Sequence, residues 1–153
     1  MWSAETVVAC ALTLLTRSAA SLPPIELVDV PPAYASPQAD AFVRVGEARI
    51  YLVTSSDVFR RAQSSKYRCG DLDAHRILAS VIVHEEWHVK HGRDEVEAYN
   101  AQLMTLRLLG AGPGNPAFTA VWRSARAALA RRKATNRMAG PVAKEPGGNG
   151  KAP

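Results

Sequence analysis

The chain has 153 residues, 47% of them hydrophobic and 22% charged, which fits one modest domain and excludes disorder of the whole chain. Two cysteines, Cys10 and Cys69, exclude a disulfide-dense scaffold and a four-cysteine zinc module, and no apolar run reaches the roughly 18 residues of a membrane-spanning helix. The net charge of +5 divides unevenly: residues 1–97 hold 10 Lys/Arg against 13 Asp/Glu, and residues 98–153 hold 9 against 1, so the basic character belongs to the C-terminal third.

Thr6 to Leu15 is mainly apolar and is followed by Ser18-Ala19-Ala20, so residues 1–20 read either as a signal peptide or as a first helix packed on the domain. Glu5 and the lack of Lys or Arg before the run weigh against export, while the small residues after it tip the balance slightly towards it. Cleavage after Ala20 would remove Cys10 and leave Cys69 alone, so no intramolecular disulfide is expected. Residues 21–40 carry Pro23, Pro24, Pro31, Pro32 and Pro37, the pattern of an extended linker. A single α+β domain is expected over 41–132. It opens with two β-rich runs, Phe42 to Val45 and Ile50 to Val53, around a Gly46-containing turn. Thr54 to Asp57 offers helix caps, predicting a short helix from Val58 to Ser64.

The longest helical signal runs from Leu72 to His91, with Asp71 or Asp73 at its start and Gly92 at its stop. Ile77, Leu78, Val81, Ile82, Val83, Trp87 and Val89 surround most of its circumference, the mark of a buried helix. A second helix starts at a capping box of Asp94 and Glu97 and ends in the glycine-rich segment 110–114. A third begins near Pro116, with Phe118, Val121, Trp122, Ala125 and Leu129 as its apolar face. Residues 133–153 turn to Gly, Pro, Lys and Asn, and read as a disordered basic tail.

His84-Glu85-Glu86-Trp87-His88 is an H-E-x-x-H sequence within the buried helix. A spacing of four residues is one turn plus about 40°, so both imidazoles leave the same face and can reach one metal ion, for which Zn²⁺ is suited. Glu85 is rotated about 100° from His84, beside a bound metal rather than on it, where a carboxylate can take a proton from water. A helix buried on most sides has few reasons to carry His, Glu and His on one flank unless something occupies them. A third ligand could come from Glu97 or Asp94, with Glu95 and His91 behind them. Tyr99 and His91 are candidate oxyanion donors.

These residues resemble the zincin metallopeptidases, most closely the branch whose third ligand is a glutamate. Glu86 and Lys90 depart from the usual motif and are expected to pair across one turn on the outer face. The resemblance covers about residues 41–110. It implies a small zincin-like domain with a short sheet or hairpin, the buried motif helix and two further helices. It also implies zinc-dependent hydrolysis of a peptide or protein substrate, with His84, His88 and Glu97 on the metal and Glu85 as general base. Ile50 to Val53 resembles the strand along which such enzymes lay an extended peptide.

A zinc-binding regulatory or interaction domain without turnover is the alternative reading. Arg123, Arg126, Arg131, Arg132, Lys133 and Arg137 form a basic run, for which a solvated helix face is the commonest explanation. Contact with an anionic membrane surface is the second, and a nucleic-acid partner is disfavoured. The oligomeric state is not legible.

Overall fold

The computed structural model describes residues 1–138, which fold as an α+β unit with five α-helices and a three-stranded mixed sheet among those residues. The elements run α1 (Ala4–Leu14), β1 (Ile25–Val28), β2 (Ala41–Val43), β3 (Ile50–Val53), α2 (Asp57–Gln63), α3 (Leu72–His91), α4 (Glu95–Leu108) and α5 (Pro116–Met138). A single 3₁₀ turn, Ala19–Ser21, lies between α1 and β1.

Local signals in the sequence set most of the boundaries. Ser3, Ser56, Asp71 and Asp94 each accept a backbone N–H in the first turn of α1, α2, α3 and α4. Each such cap answers donors that the helix itself cannot satisfy. Gly92 stops α3 in a backbone conformation (φ 96°) that residues with a Cβ rarely adopt.

The sheet order is β1-β3-β2. β3 pairs in parallel with β1 (Ile25 opposite Ile50) and antiparallel with β2 (Ala41 opposite Leu52). The proline-rich stretch is therefore more than a linker. Its proline-free tetrapeptide Ile25–Val28, set between Pro24 and Pro31, supplies an edge strand, where the absence of a donor at the flanking prolines does no harm.

α3 packs against α1, α2, α4, α5, β2 and β3. Leu78 and Ile82 on α3 join Ile50, Leu52, Phe59 and Leu106 as the large fully buried side chains of the core. Each such burial contributes about 1.5–3 kcal/mol.

α1 belongs to this core, burying Val7, Cys10, Ala11 and Leu12. The expectation about the cysteines is overturned, because Cys10 and Cys69 form a disulfide (Cα–Cα 5.6 Å) that ties α1 to the loop before α3. Folding brings together two residues 59 apart, which no local pattern records.

A second tie crosses the same interface. Arg17 donates from both terminal nitrogens to Glu86 at 2.6 and 2.7 Å, and Lys90 donates to the same carboxylate at 2.6 Å. The expected Glu86–Lys90 pair exists, but Glu86 faces α1 and is buried rather than lying on an outer face. Arg17 and Lys90 hold its carboxyl below the usual range, and a buried carboxylate with both oxygens engaged by cations avoids the cost of isolated charge.

Two further expectations change. Trp122 and Leu129 are 47% and 40% exposed, because α5 turns Ala117, Phe118, Val121 and Ala128 inward instead. α5 also continues past Lys133 to Met138; residues 139–153, which hold the remainder of the expected tail, lie outside those described.

Because the disulfide closes a loop of 59 residues, its removal by Cys10→Ser with Cys69→Ser should cost about 2–4 kcal/mol of stability. Denaturant unfolding of the oxidised and doubly substituted proteins checks this, and identical midpoints would show that the crosslink constrains nothing.

Candidate metal centre

His84 and His88 project from one face of α3, and Glu95 approaches them from the first turn of α4. The approach depends on the short connection. Gly92 reverses the chain, Asp94 caps α4 through Oδ1, which accepts from the N–H groups of Val96 and Glu97, and Glu95 becomes the first helical residue.

The two Nε2 atoms lie 3.1 Å apart. One Glu95 carboxylate oxygen stands 3.4 Å from His84 Nε2 and the other 3.3 Å from His88 Nε2. Donor atoms held about 2.0–2.1 Å from a tetrahedral ion lie about 3.3 Å from one another, so each of these separations is close to an edge length of such a site. The group could hold a metal ion.

The tautomer of His88 agrees. Its Nδ1 lies 2.6 Å from the Gly92 carbonyl oxygen, which can only accept, so Nδ1 carries a proton, and a metal that displaced the Nε2 proton would find that lone pair directed at the centre. His84 Nδ1 is buried and has no hydrogen-bond partner among the described residues. Tyr99, one turn beyond Glu95, sets its ring edge-on to His84 with centroids 4.6 Å apart.

The electrostatics follow from this crowding. Hydrogen bonds from the His84 and His88 rings hold the Glu95 carboxyl far below the usual carboxylate range. Burial lowers the proton affinity of His88, but Glu95 and the Gly92 carbonyl outweigh it, and the net shift is upward. Glu85 is buried between α3 and the sheet side of the molecule, and desolvation pushes its carboxyl up. Unlike Glu86, Glu85 enters no ion pair among the described residues.

The donor set therefore differs from the expected one in its third member. Glu97 is exposed on α4 and does not join the group, whereas Glu95 does. Asp94 is occupied as a helix cap and by Arg132 at 3.3 Å. His91 is also outside the group: it is exposed, stacks on Trp87 and hydrogen-bonds through Nδ1 to the Trp87 carbonyl.

Helical phase was the available signal. Glu95, Tyr99, Gln102 and Leu106 recur on one face of α4, and Glu97 lies about 200° from Glu95 around the axis.

Two clefts meet at the centre. One, of about 1420 Å³, runs between β2 with its flanking loops and the side of α3 that bears Glu85 and His88. The other, of about 780 Å³, continues past His84 and Tyr99 towards Val121 and Arg131 of α5. Glu85 and Glu95 line both.

β2, not β3, borders the first cleft as an edge strand. Ile50–Val53 is paired on both sides and fully buried, so its backbone is not free to receive a peptide. Compared with known proteins, the chain matches no family model, no curated protein and no solved structure.

Glu95→Ala should weaken zinc binding by more than the roughly 10–100-fold typical of losing a supporting residue, and Glu97→Ala should leave it unchanged. Competition against a chromophoric chelator, on protein shown to be folded, measures both. Equal affinity in Glu95→Ala and wild type would remove Glu95 from the donor set.

Proposed function

We propose that this protein is a zinc-dependent peptidase with a small zincin-like domain. The observation that carries the reading is the convergence of His84, His88 and Glu95 donor atoms beside a buried, unpaired Glu85 at the junction of two clefts. Zinc held by the three residues would polarise a scissile carbonyl and lower the pKa of attacking water towards neutrality.

Each neighbouring residue then has a defined task. Glu85 accepts a proton from the attacking water and delivers it to the leaving amine. Burial raises its proton affinity, which favours taking up that proton. Tyr99, whose burial keeps its hydroxyl protonated, serves as a donor to the developing oxyanion. The Gly92 carbonyl fixes the His88 ring.

An extended substrate adds to the free edge of β2 through main-chain hydrogen bonds and lies along the cleft that Glu85 and His88 line. The Cys10–Cys69 bond supports work in an oxidising compartment, where such bonds persist.

Zinc-loaded protein should cleave an unfolded protein substrate, and Glu85→Gln should retain zinc while hydrolysis slows by roughly 10²- to 10⁴-fold. Stoichiometric zinc without cleavage in wild type would instead assign the domain to regulation or binding. Cleavage that persists in Glu85→Gln would remove Glu85 from the mechanism.

A further inference from the structure

We propose that the outward face of α5 docks the protein on an anionic lipid bilayer. α5 carries six cations (Arg123, Arg126, Arg131, Arg132, Lys133 and Arg137) and no acidic residue from Pro116 to Met138. Arg132 is paired with Asp94, and Arg131 turns towards the second cleft. The other four remain on the exposed side.

The arrangement of that side is specific. Val121 and Ala128 face the core, which fixes the rotation of the helix. At about 100° per residue, Trp122, Arg126, Leu129 and Lys133 then fall on a single ridge, and Arg123 and Arg137 lie on the flank farther from the core. Trp122 and Leu129 are 47% and 40% exposed on that ridge, alternating with two cations.

Trp122 stacks on Phe118 with ring centroids 6.4 Å apart, and about half of its surface, together with Leu129, stays exposed between arginine and lysine. A nucleic-acid duplex would engage the cations through its phosphates and leave Leu129 with nothing to contact. A bilayer interface uses both components: headgroup phosphates meet the Arg and Lys ends while Trp and Leu sink to the acyl boundary. No helix among the described residues is long and apolar enough to cross a membrane, so the contact is peripheral.

Sedimentation of the full chain with vesicles tests this without reference to zinc or hydrolysis. The protein should pellet with phosphatidylcholine–phosphatidylglycerol vesicles at low salt, be released by high salt, and stay in solution with phosphatidylcholine alone. Combined Arg126→Ala, Lys133→Ala and Arg137→Ala should reduce partitioning by roughly 100-fold, about fivefold for each cation. Trp122→Ala should reduce it at low salt. Far-UV circular dichroism verifies that each variant keeps its helices, and the lipid and salt dependence of wild type decides the matter even if a variant does not fold. Failure to pellet with either vesicle, equal pelleting with both, or wild-type pelleting by the folded triple variant would overturn the proposal. Tight binding of a duplex oligonucleotide without vesicle binding would assign the face to nucleic acid instead.

Discussion

Everything in this molecule is arranged around the burial of α3. A 20-residue helix packed against four other helices and two strands carries His84, Glu85 and Glu86 into an interior where unpaired charge is expensive. The three residues are treated differently. Glu86 receives Arg17 and Lys90, so its charge is balanced and ties α1 to the helix. His84 meets His88 and Glu95. Glu85 alone is left with a desolvated carboxyl and no ion pair, at the one place where two clefts open onto it.

That contrast separates scaffold from site. A carboxylate engaged by two cations is held ionised and fixed in place, and can do little chemistry. A carboxylate whose proton affinity burial has raised is better suited to accept a proton. The two neighbours in sequence, Glu85 and Glu86, thus differ in kind, and the ties from α1 hold the helix where one of them opens onto the clefts. The basic face of α5 stands outside this arrangement, and the docking proposed for it is independent of the proposed chemistry of the centre.

Much of the fold is legible in the chain because its boundaries are set locally. The limits of α3, its Asp71 cap and its Gly92 stop follow from residues within one turn of each end, as do the Ser56 cap of α2 and the β2–β3 hairpin. What escapes such reading is non-local. β1 finds its parallel partner 25 residues away (Ile25 with Ile50), so its pairing leaves no trace in its own short, proline-flanked sequence. The Cys10–Cys69 contact depends on α1 packing beside the loop before α3. The metal motif was readable as a face of one helix. Its third member was not, because choosing between Glu95 and Glu97 requires the rotation of α4, which Gly92 and the Asp94 cap determine together. The outward rotation of Trp122 on α5 was missed for a related reason: the small residues Ala117 and Ala128 share the buried face with Phe118 and Val121, which turns Trp122 and Leu129 away from it.

X-ray absorption at the zinc edge of zinc-loaded protein tests the central claim most directly, because it reads the donors themselves. Two imidazole nitrogens and carboxylate oxygen in the first shell, at about 2.0–2.2 Å and with total coordination near four, are the expected result. A shell containing sulfur at about 2.3 Å, or one without imidazole scattering, would contradict the assignment of His84, His88 and Glu95 as the metal site.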